Sequence, residues 1–451
     1  MSYRTTKKLK KESMHDLVIT EDNEATLHSG NAELDITGEL LDRDYDLVSK
    51  IVDTEITDEK HAESLRLITE SIGSRWFIDT RKLTRESMTV TNQSGNQSDI
   101  EEEKEKKKGG VKKFLLDLLN RFLEWVYDVG VYISSSLKKL TNIGKQSLGH
   151  AKTFETQLKK FMDGGAKGGP GEFTITGLRQ YLYINDKIID LDGMKTINEY
   201  LASIKDVLKS SKADIDGWLR GELNTAGNYI VAIVKDGKLG SIEKAKKDIS
   251  SIPVEDVDTG IFKSGVKRKL NPVGPSDVVE KQMVMALPGN AYLQIFNYSH
   301  KQGEYDYDVM GARFITSTFT DKMLGHDKSG NAAFLGLNYS DVPNPSVCST
   351  VIDILKESAN EMVKLEGDWE KNKREFDKTN KEAKKLLDTL KSGNTDIDED
   401  SVRIAHRLTR EAATTNKAMY NYKSYLLKTN IHLTKCFVSS ALRAYRKELS
   451  A

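Results

Sequence analysis

Three features of this sequence predict a mainly α-helical chain with a small antiparallel β meander (α+β) and a long C-terminal helical hairpin. Proline is scarce, at 7 of 451 residues, among many Lys, Glu and Leu, and that balance favours helix. Apolar residues recur at i, i+3, i+4 and i+7 through residues 111–140, the pattern of an amphipathic helix. A Pro288-Gly289-Asn290 turn separates two runs of strand-forming residues.

Composition bounds the class. Charged residues make up 30% of the chain and balance at zero, with 68 basic and 68 acidic side chains. The zero hides an asymmetry. Glu12 to Thr80 holds 18 acidic and 5 basic residues, net −13, while Arg81 onward holds 58 basic and 50 acidic, net +8. Cys348 and Cys436 are too few for a disulfide framework and suit a reducing compartment. The basic start, Met1 to Lys11, precedes no apolar run and is not a secretory signal. No segment approaches the roughly 18 uncharged apolar residues of a membrane span. The best candidate, Phe114 to Ile133, is interrupted by Asp117, Asn120, Arg121, Glu124 and Asp128.

Residues 1–108 are polar and acidic and are expected to be largely disordered. Leu41, Leu47, Val48, Ile51, Leu65, Ile68 and Ile72 have some helical spacing, which predicts weak helices without a core. Thr89 to Lys108 has linker composition and ends at Gly109-Gly110. Residues 109–163 form the expected amphipathic region. Its sharpest part carries Phe114, Leu118, Phe122, Trp125, Val129, Ile133, Leu137 and Leu140, and a second stretch runs from Ile143 to Met162. Residues 164–171 complete a glycine-rich segment, DGGAKGGPG, that predicts a flexible linker and a domain boundary.

Residues 172–348 are expected to be mixed α+β. Thr174 to Ser210 has helical spacing; Tyr229 to Val234 fits helix or strand. The meander is placed at Met283–Leu287, Ala291–Phe296 and Arg313–Phe319. Residues 349–451 make the hairpin, with Ser349 or Thr350 as N-cap. Leu355, Met362, Trp369, Phe376, Ala383 and Leu390 repeat every seven residues, a narrow seam that should bury Trp369 and Phe376 against Tyr422 and Leu426. The Lys391–Thr395 turn and the acidic residues after it open the second helix.

No catalytic constellation is present, and no cofactor or metal is implied. Gly164 to Gly171 lacks the spacing of a phosphate loop and follows a helix rather than a strand. The eight His are scattered. Asp396, Asp398 and Asp400 lack the Gly and terminal Glu of a calcium loop. Cys436 sits in an apolar helical stretch and reads as an inert core thiol.

Two segments carry interaction chemistry. The last helix, Ser401 to Ser450, holds 10 basic residues against Glu411 and Glu448. Arg403, Arg407, Arg410, Lys417, Lys428 and Lys435 fall near one face. They suit either contact with nucleic-acid phosphate or a solvated face paired with the acidic helix before it. The lysine-flanked helix 111–140 suits either a membrane surface or packing against Ile143–Met162 and the hairpin.

The layout resembles the internal head, or inner-body, virion proteins of large tailed bacteriophages. The resemblance lies in the acidic N-terminal segment, the helix Val111-Lys-Lys-Phe-Leu-Leu-Asp-Leu-Leu-Asn-Arg-Phe-Leu-Glu-Trp125, the Leu287-Pro-Gly-Asn-Ala-Tyr292 turn and the basic C-terminal helix from Tyr422 to Leu449. It implies a non-enzymatic structural protein made in the host cytoplasm and housed in the capsid interior with other virion proteins and packaged DNA. It also implies an acidic propeptide removed by a phage maturation protease, which in such phages often cuts after hydrophobic-x-Glu. Glu70, Glu102 and Glu21 end such triplets here. A membrane-surface or injected effector protein anchored by helix 111–140 is the alternative reading.

Overall fold

A computed structural model describes parts of residues 37–48 and 181–202, together with residues 59–76, 78, 97–176, 278–302, 305–316, 336–392 and 399–450. In chain order the helices are α1 (Glu59–Trp76), α2 (Gln97–Asp163), α3 (Pro345–Ser392) and α4 (Glu399–Glu448). Strands β1 (Gly169–Thr176), β2 (Tyr183–Ile184), β3 (Lys187–Ile188), β4 (Val278–Leu287), β5 (Ala291–Gln302), β6 (Tyr305–Ile315) and β7 (Gly336–Val342) lie between α2 and α3. The mainly helical α+β class is therefore as predicted. The described residues fall into two compact units: one within Met1–Tyr132 and Asp377–His406, the other within Ile133–Tyr229, Leu239–Phe376 and Arg407–Ala451.

The first unit differs from the expectation that the acidic segment has no core. Tyr45, Val48 and Ile72 are buried with Phe114, Leu115 and Leu118 of α2, and Trp76 and Ile78 pack against them. Polar anchors complete the packing. Asp44, 1% exposed, accepts hydrogen bonds from Arg75 and, at 2.9 Å, from the Trp76 indole N–H. Tyr45 stacks on the buried His406 of α4 at 3.9 Å, and Phe122 meets the same imidazole edge-on at 4.4 Å. A few apolar residues in an acidic background suffice because they share one partner, the apolar stripe of α2.

The helix that carries this stripe begins earlier and ends later than its composition suggested. α2 is one helix of 67 residues, continuous through Gly109-Gly110 and into Ile143–Met162. Its two amphipathic stretches therefore lie end to end and cannot pack on each other. Glycine in a helix costs about 1 kcal/mol relative to alanine, too little to stop a helix held by so long an apolar face.

In the second unit the glycine-rich segment is tied down. Gly169–Thr176 pairs antiparallel with β7, Gly169 opposite Val342 and Thr176 opposite Gly336. Gly168, at φ +69°, has no room for a side chain, because a Cβ there would press on the Val342 and Pro343 carbonyls. The Glu448 carboxylate accepts the Lys167 and Gly168 N–H groups at 3.0 and 3.3 Å. Thr174 to Thr176 are strand, and Tyr183–Ile184 pairs with Lys187–Ile188, where helical spacing had pointed to a helix. Tyr229–Val234 lies outside the described residues.

The meander follows its turn chemistry. β4, β5 and β6 form one antiparallel sheet in that order, with Leu287 opposite Ala291 and Tyr292 opposite Ile315. Gly289 (φ 72°) and Asn290 (φ 55°) take the left-handed conformation that these two residue types tolerate best. The first two strands are longer than predicted, since the polar ends, such as Ser299–Gln302, alternate too weakly to be read as strand; the third lies earlier than the expected Arg313–Phe319, ending at Ile315, with 317–319 outside the described residues.

The hairpin is present in this unit. Asn430 of α4 donates to Ser358 of α3 at 2.6 Å, and the Tyr445 hydroxyl donates to the Pro343 carbonyl at 2.6 Å, so the two helices run antiparallel. α3 starts earlier than predicted. Asn344 is the cap, accepting from the Ser346 N–H at 2.9 Å, and Pro345 fills the first helical position, where no N–H is needed. On the seven-residue seam Leu355 and Met362 are fully buried and Trp369 is 6% exposed. The Trp369 indole N–H bonds to Ser134 of α2 at 2.6 Å.

Truncating a buried aromatic costs about 3–5 kcal/mol. Trp369→Ala should lower the denaturant midpoint by that much and leave Ser134 without its donor; unchanged unfolding would contradict the buried seam.

Candidate nucleic-acid interface

The last helix is basic by composition, but its exposed basic residues among the described ones are Arg443, Arg446 and Lys447 at its end. From Ile404 to Tyr445, α4 is buried over most of its circumference, polar residues included. Of the six basic positions singled out in the sequence, Lys417 is 3% exposed. Burial takes it away from any phosphate. Arg407, Arg410, Lys428 and Lys435 are half-buried. Arg403 lies within α4, but its side chain is outside the described residues. The set does not form one open face.

Arg407 and Arg410 have an internal neighbour. Glu411, 2% exposed, takes two hydrogen bonds from the Arg313 guanidinium of β6, at 2.5 and 3.1 Å. Arg313 also lies over the Phe296 ring at 5.1 Å and donates to the Ala312 carbonyl at 2.9 Å. Gly311 makes the approach possible, because a side chain there would collide with the Glu411 carboxylate and the Phe296 ring. Burial pushes the Glu411 carboxyl up, but Arg313, with Arg410 and Arg407 behind it, outweighs burial and holds it below its ordinary value. One turn on, Thr415 accepts the Ala312 N–H at 2.9 Å. The sequence held a hint of this: Glu411 is a lone carboxylate between Arg410 and a long run without another.

Cys436, expected to be an inert core thiol, is half-buried, and Cys348 is buried. Burial pushes Cys348 up to about 12 and Cys436 up to about 11, with the Arg443 and Lys435 charges opposing the latter. His432 lies 3.5 Å from the Cys436 sulfur, a neighbour that had been missed and that here faces a protonated thiol. Among the described residues no three His, Cys, Asp or Glu side chains gather to hold a metal ion. None of their helices is long and apolar enough to cross a membrane. The 111–140 stripe points inward: Phe122, Val126, Val129 and Ile133 are at most 1% exposed.

A row of exposed basic residues that the sequence reading did not join into one surface lies on α2. Lys138, Lys145, Lys152, Lys159 and Lys160 are all exposed, and between Val129 and Asp163 the carboxylates are Glu155 and Asp163. Glu155 is paired with Lys356 of α3. The candidate processing positions are placed differently again. Glu70 is exposed in α1 and pairs with Arg66 at 3.4 Å, but Thr69 beside it is fully buried. Glu102 lies in α2 with its side chain outside the described residues, and Glu21 is outside them altogether.

The model of one protein family, the phiKZ-like phage internal head proteins, matches residues 22–430. The chain belongs to this family. It is thus a bacteriophage internal head protein, a structural component of the capsid interior of the virion. The match spans most of the acidic segment, α2, the meander and α4 as far as Asn430, so of the pieces on which the resemblance rested it leaves out most of the Tyr422–Leu449 helix. No curated protein sequence and no solved structure matches this internal head protein.

Glu411 offers a test of the buried pair. A carboxyl held below its unfolded value, about 4.3, contributes stability that is present above that pH and is lost as pH falls through the folded value. Glu411→Gln should therefore cost about 3 kcal/mol at pH 7 by stranding Arg313. The gap to the wild type should close as the pH falls below about 4. A gap that is constant with pH would assign Glu411 a packing role alone.

Proposed function

We propose that this internal head protein is a non-enzymatic structural element that touches packaged DNA or capsid proteins through its basic body. We also propose that its acidic N-terminal segment is removed during maturation. The observation that carries both readings is the division of charge: net −13 across Glu12–Thr80 and net +8 from Arg81 onward. A DNA-filled head is intensely anionic, so an attached acidic arm opposes phosphate contact, whereas a basic body gains counterion release on binding. Before packaging, the same arm shields the body from premature contact with nucleic acid.

The packing of the arm sets a condition on its removal. Cleavage after Glu70 needs the end of α1 to open, because Thr69 is buried and its hydroxyl bonds the Leu65 carbonyl at 2.9 Å. Helix ends open locally at far less than the global unfolding cost. With the arm go Tyr45 and Val48, which cover Phe114, Leu115 and Leu118. Processing therefore uncovers apolar surface on α2 as well as removing charge. A maturation protease acting on the N-terminal segment is the partner this step requires.

Peptide mapping of mature particles checks the reading. The expected first residue lies between Ser71 and Gly110, with Glu70 the favoured cleavage position and Glu102 the next. DNA affinity should rise after removal and fall steeply with salt. Peptides from Asp22 to Arg66 at the same stoichiometry as those from Val402 to Arg446 would overturn it.

A further inference from the structure

The geometry points to one surface for the DNA contact: the lysine stripe Lys138, Lys145, Lys152 and Lys159 on the exposed side of α2, fitted to the phosphate backbone of duplex DNA. The inference rests on the DNA reading above and moves the contact away from α4. The four lysines are spaced by seven residues and all are exposed. At 1.5 Å per residue they stand about 10.5 Å apart and the stripe is about 31 Å long. One turn of DNA is about 34–36 Å. A seven-residue repeat drifts about 20° on a straight helix. Over three repeats the stripe turns by about 60° and stays on the solvent side.

The platform beneath is fixed. Ile133, Leu137, Leu140, Ala151 and Leu158 bury the opposite side of the same helix. Gly144 sits directly against the Ala359 backbone and Val363 of α3. Ordering cost on binding is therefore confined to the lysine side chains.

The ground between the lysines is neutral and low. Asn142, Gly149 and Thr156 are the exposed residues that alternate with them. Thr153 and Thr156 turn their hydroxyls back onto the Gly149 and Lys152 carbonyls, at 3.1 and 3.0 Å. Glu155 stands at the edge towards α3, where Lys356 holds it with Asp353 3.7 Å from the same ammonium. Asp163 closes the helix. A row of ammonium groups whose one intervening carboxylate, Glu155, is paired with Lys356 complements a line of phosphates and carries no sequence information, as packaging of a whole genome demands.

Salt-dependent binding of the full chain to a random-sequence duplex tests the assignment. Lys138→Gln, Lys145→Gln, Lys152→Gln and Lys159→Gln together should weaken binding more than about tenfold at low salt and flatten the log–log salt slope by about 3 to 4. A control with the same charge loss, Lys364→Gln, Arg374→Gln, Lys378→Gln and Lys381→Gln on α3, should stay within about twofold. All eight residues are exposed, with Lys364 in a surface pair with Glu361 at 3.1 Å, so both variants should melt like the wild type. If the wild type binds and the two variants weaken alike, the stripe is overturned and the DNA reading stands. If the wild type does not bind duplex DNA at low salt, the DNA reading itself falls and the stripe with it. Stripe-dependent capture of polyglutamate without capture of DNA would reassign the surface to an acidic protein and overturn the proposal.

Discussion

α4 is buried over most of its circumference and half-buried along the rest from Arg407 to Ser439, although much of its sequence is polar, and the second unit is built around that constraint. A buried polar group without a partner costs about 1–3 kcal/mol, so such a helix is stable only where its neighbours supply partners at the right heights. They do so at several levels, while Asn416 Oδ1, Ser424 Oγ and Asn430 Oδ1 are buried without a hydrogen-bond partner. Glu411 takes Arg313, Thr415 takes the Ala312 N–H, and the Tyr425 hydroxyl reaches the Pro288 carbonyl at 2.7 Å. Asn430 then reaches Ser358, Tyr445 reaches Pro343, and Glu448 takes the N–H groups of the glycine-rich turn. The meander, the start of α3 and the turn after α2 are each fastened to a different level of one helix. Aromatic contacts fill between these levels, with Phe314 5.5 Å from Tyr425 and Phe173 5.7 Å from Phe437.

Local chemistry was legible in the sequence, and burial was not. Pro288-Gly289-Asn290 announces its turn because φ above zero suits glycine and asparagine, and the meander follows from it. The α2 stripe and the seven-residue seam announce themselves by period. α4 misleads because Lys417 and Lys423 count as surface residues in any composition, yet they are 3% and 5% exposed. Nothing local distinguishes a buried lysine from a solvated one; the distinction belongs to the elements packed around it. DGGAKGGPG misleads in the opposite direction. Its glycines read as freedom, but Gly168 is small because the Pro343 carbonyl lies against it. The acidic segment was misjudged for a third reason. A handful of apolar residues makes no core by itself, and the partner stripe lies about 70 residues further along the chain.

Electrostatic contact depends on charge that reaches solvent rather than on the net charge of a helix. Lys138 was read as the flank of an amphipathic helix. Once that helix is seen to continue to Asp163, Lys138 becomes the first of four lysines in one line. Family membership places the protein inside the phage head and is silent on which surface works there. Half-burial or burial of the basic positions from Arg407 to Lys435 on α4 and exposure of those on α2 are what support the proposed lysine stripe.

Lysine acylation of the native full-length protein, followed residue by residue by mass spectrometry, tests the central claim that α4 is core and α2 is surface. Lys417 and Lys423 should react at least about tenfold more slowly than Lys145, Lys152 and Lys159, because reaction at the first two waits on local opening. Equal rates across the five lysines would place α4 at the surface and contradict the account.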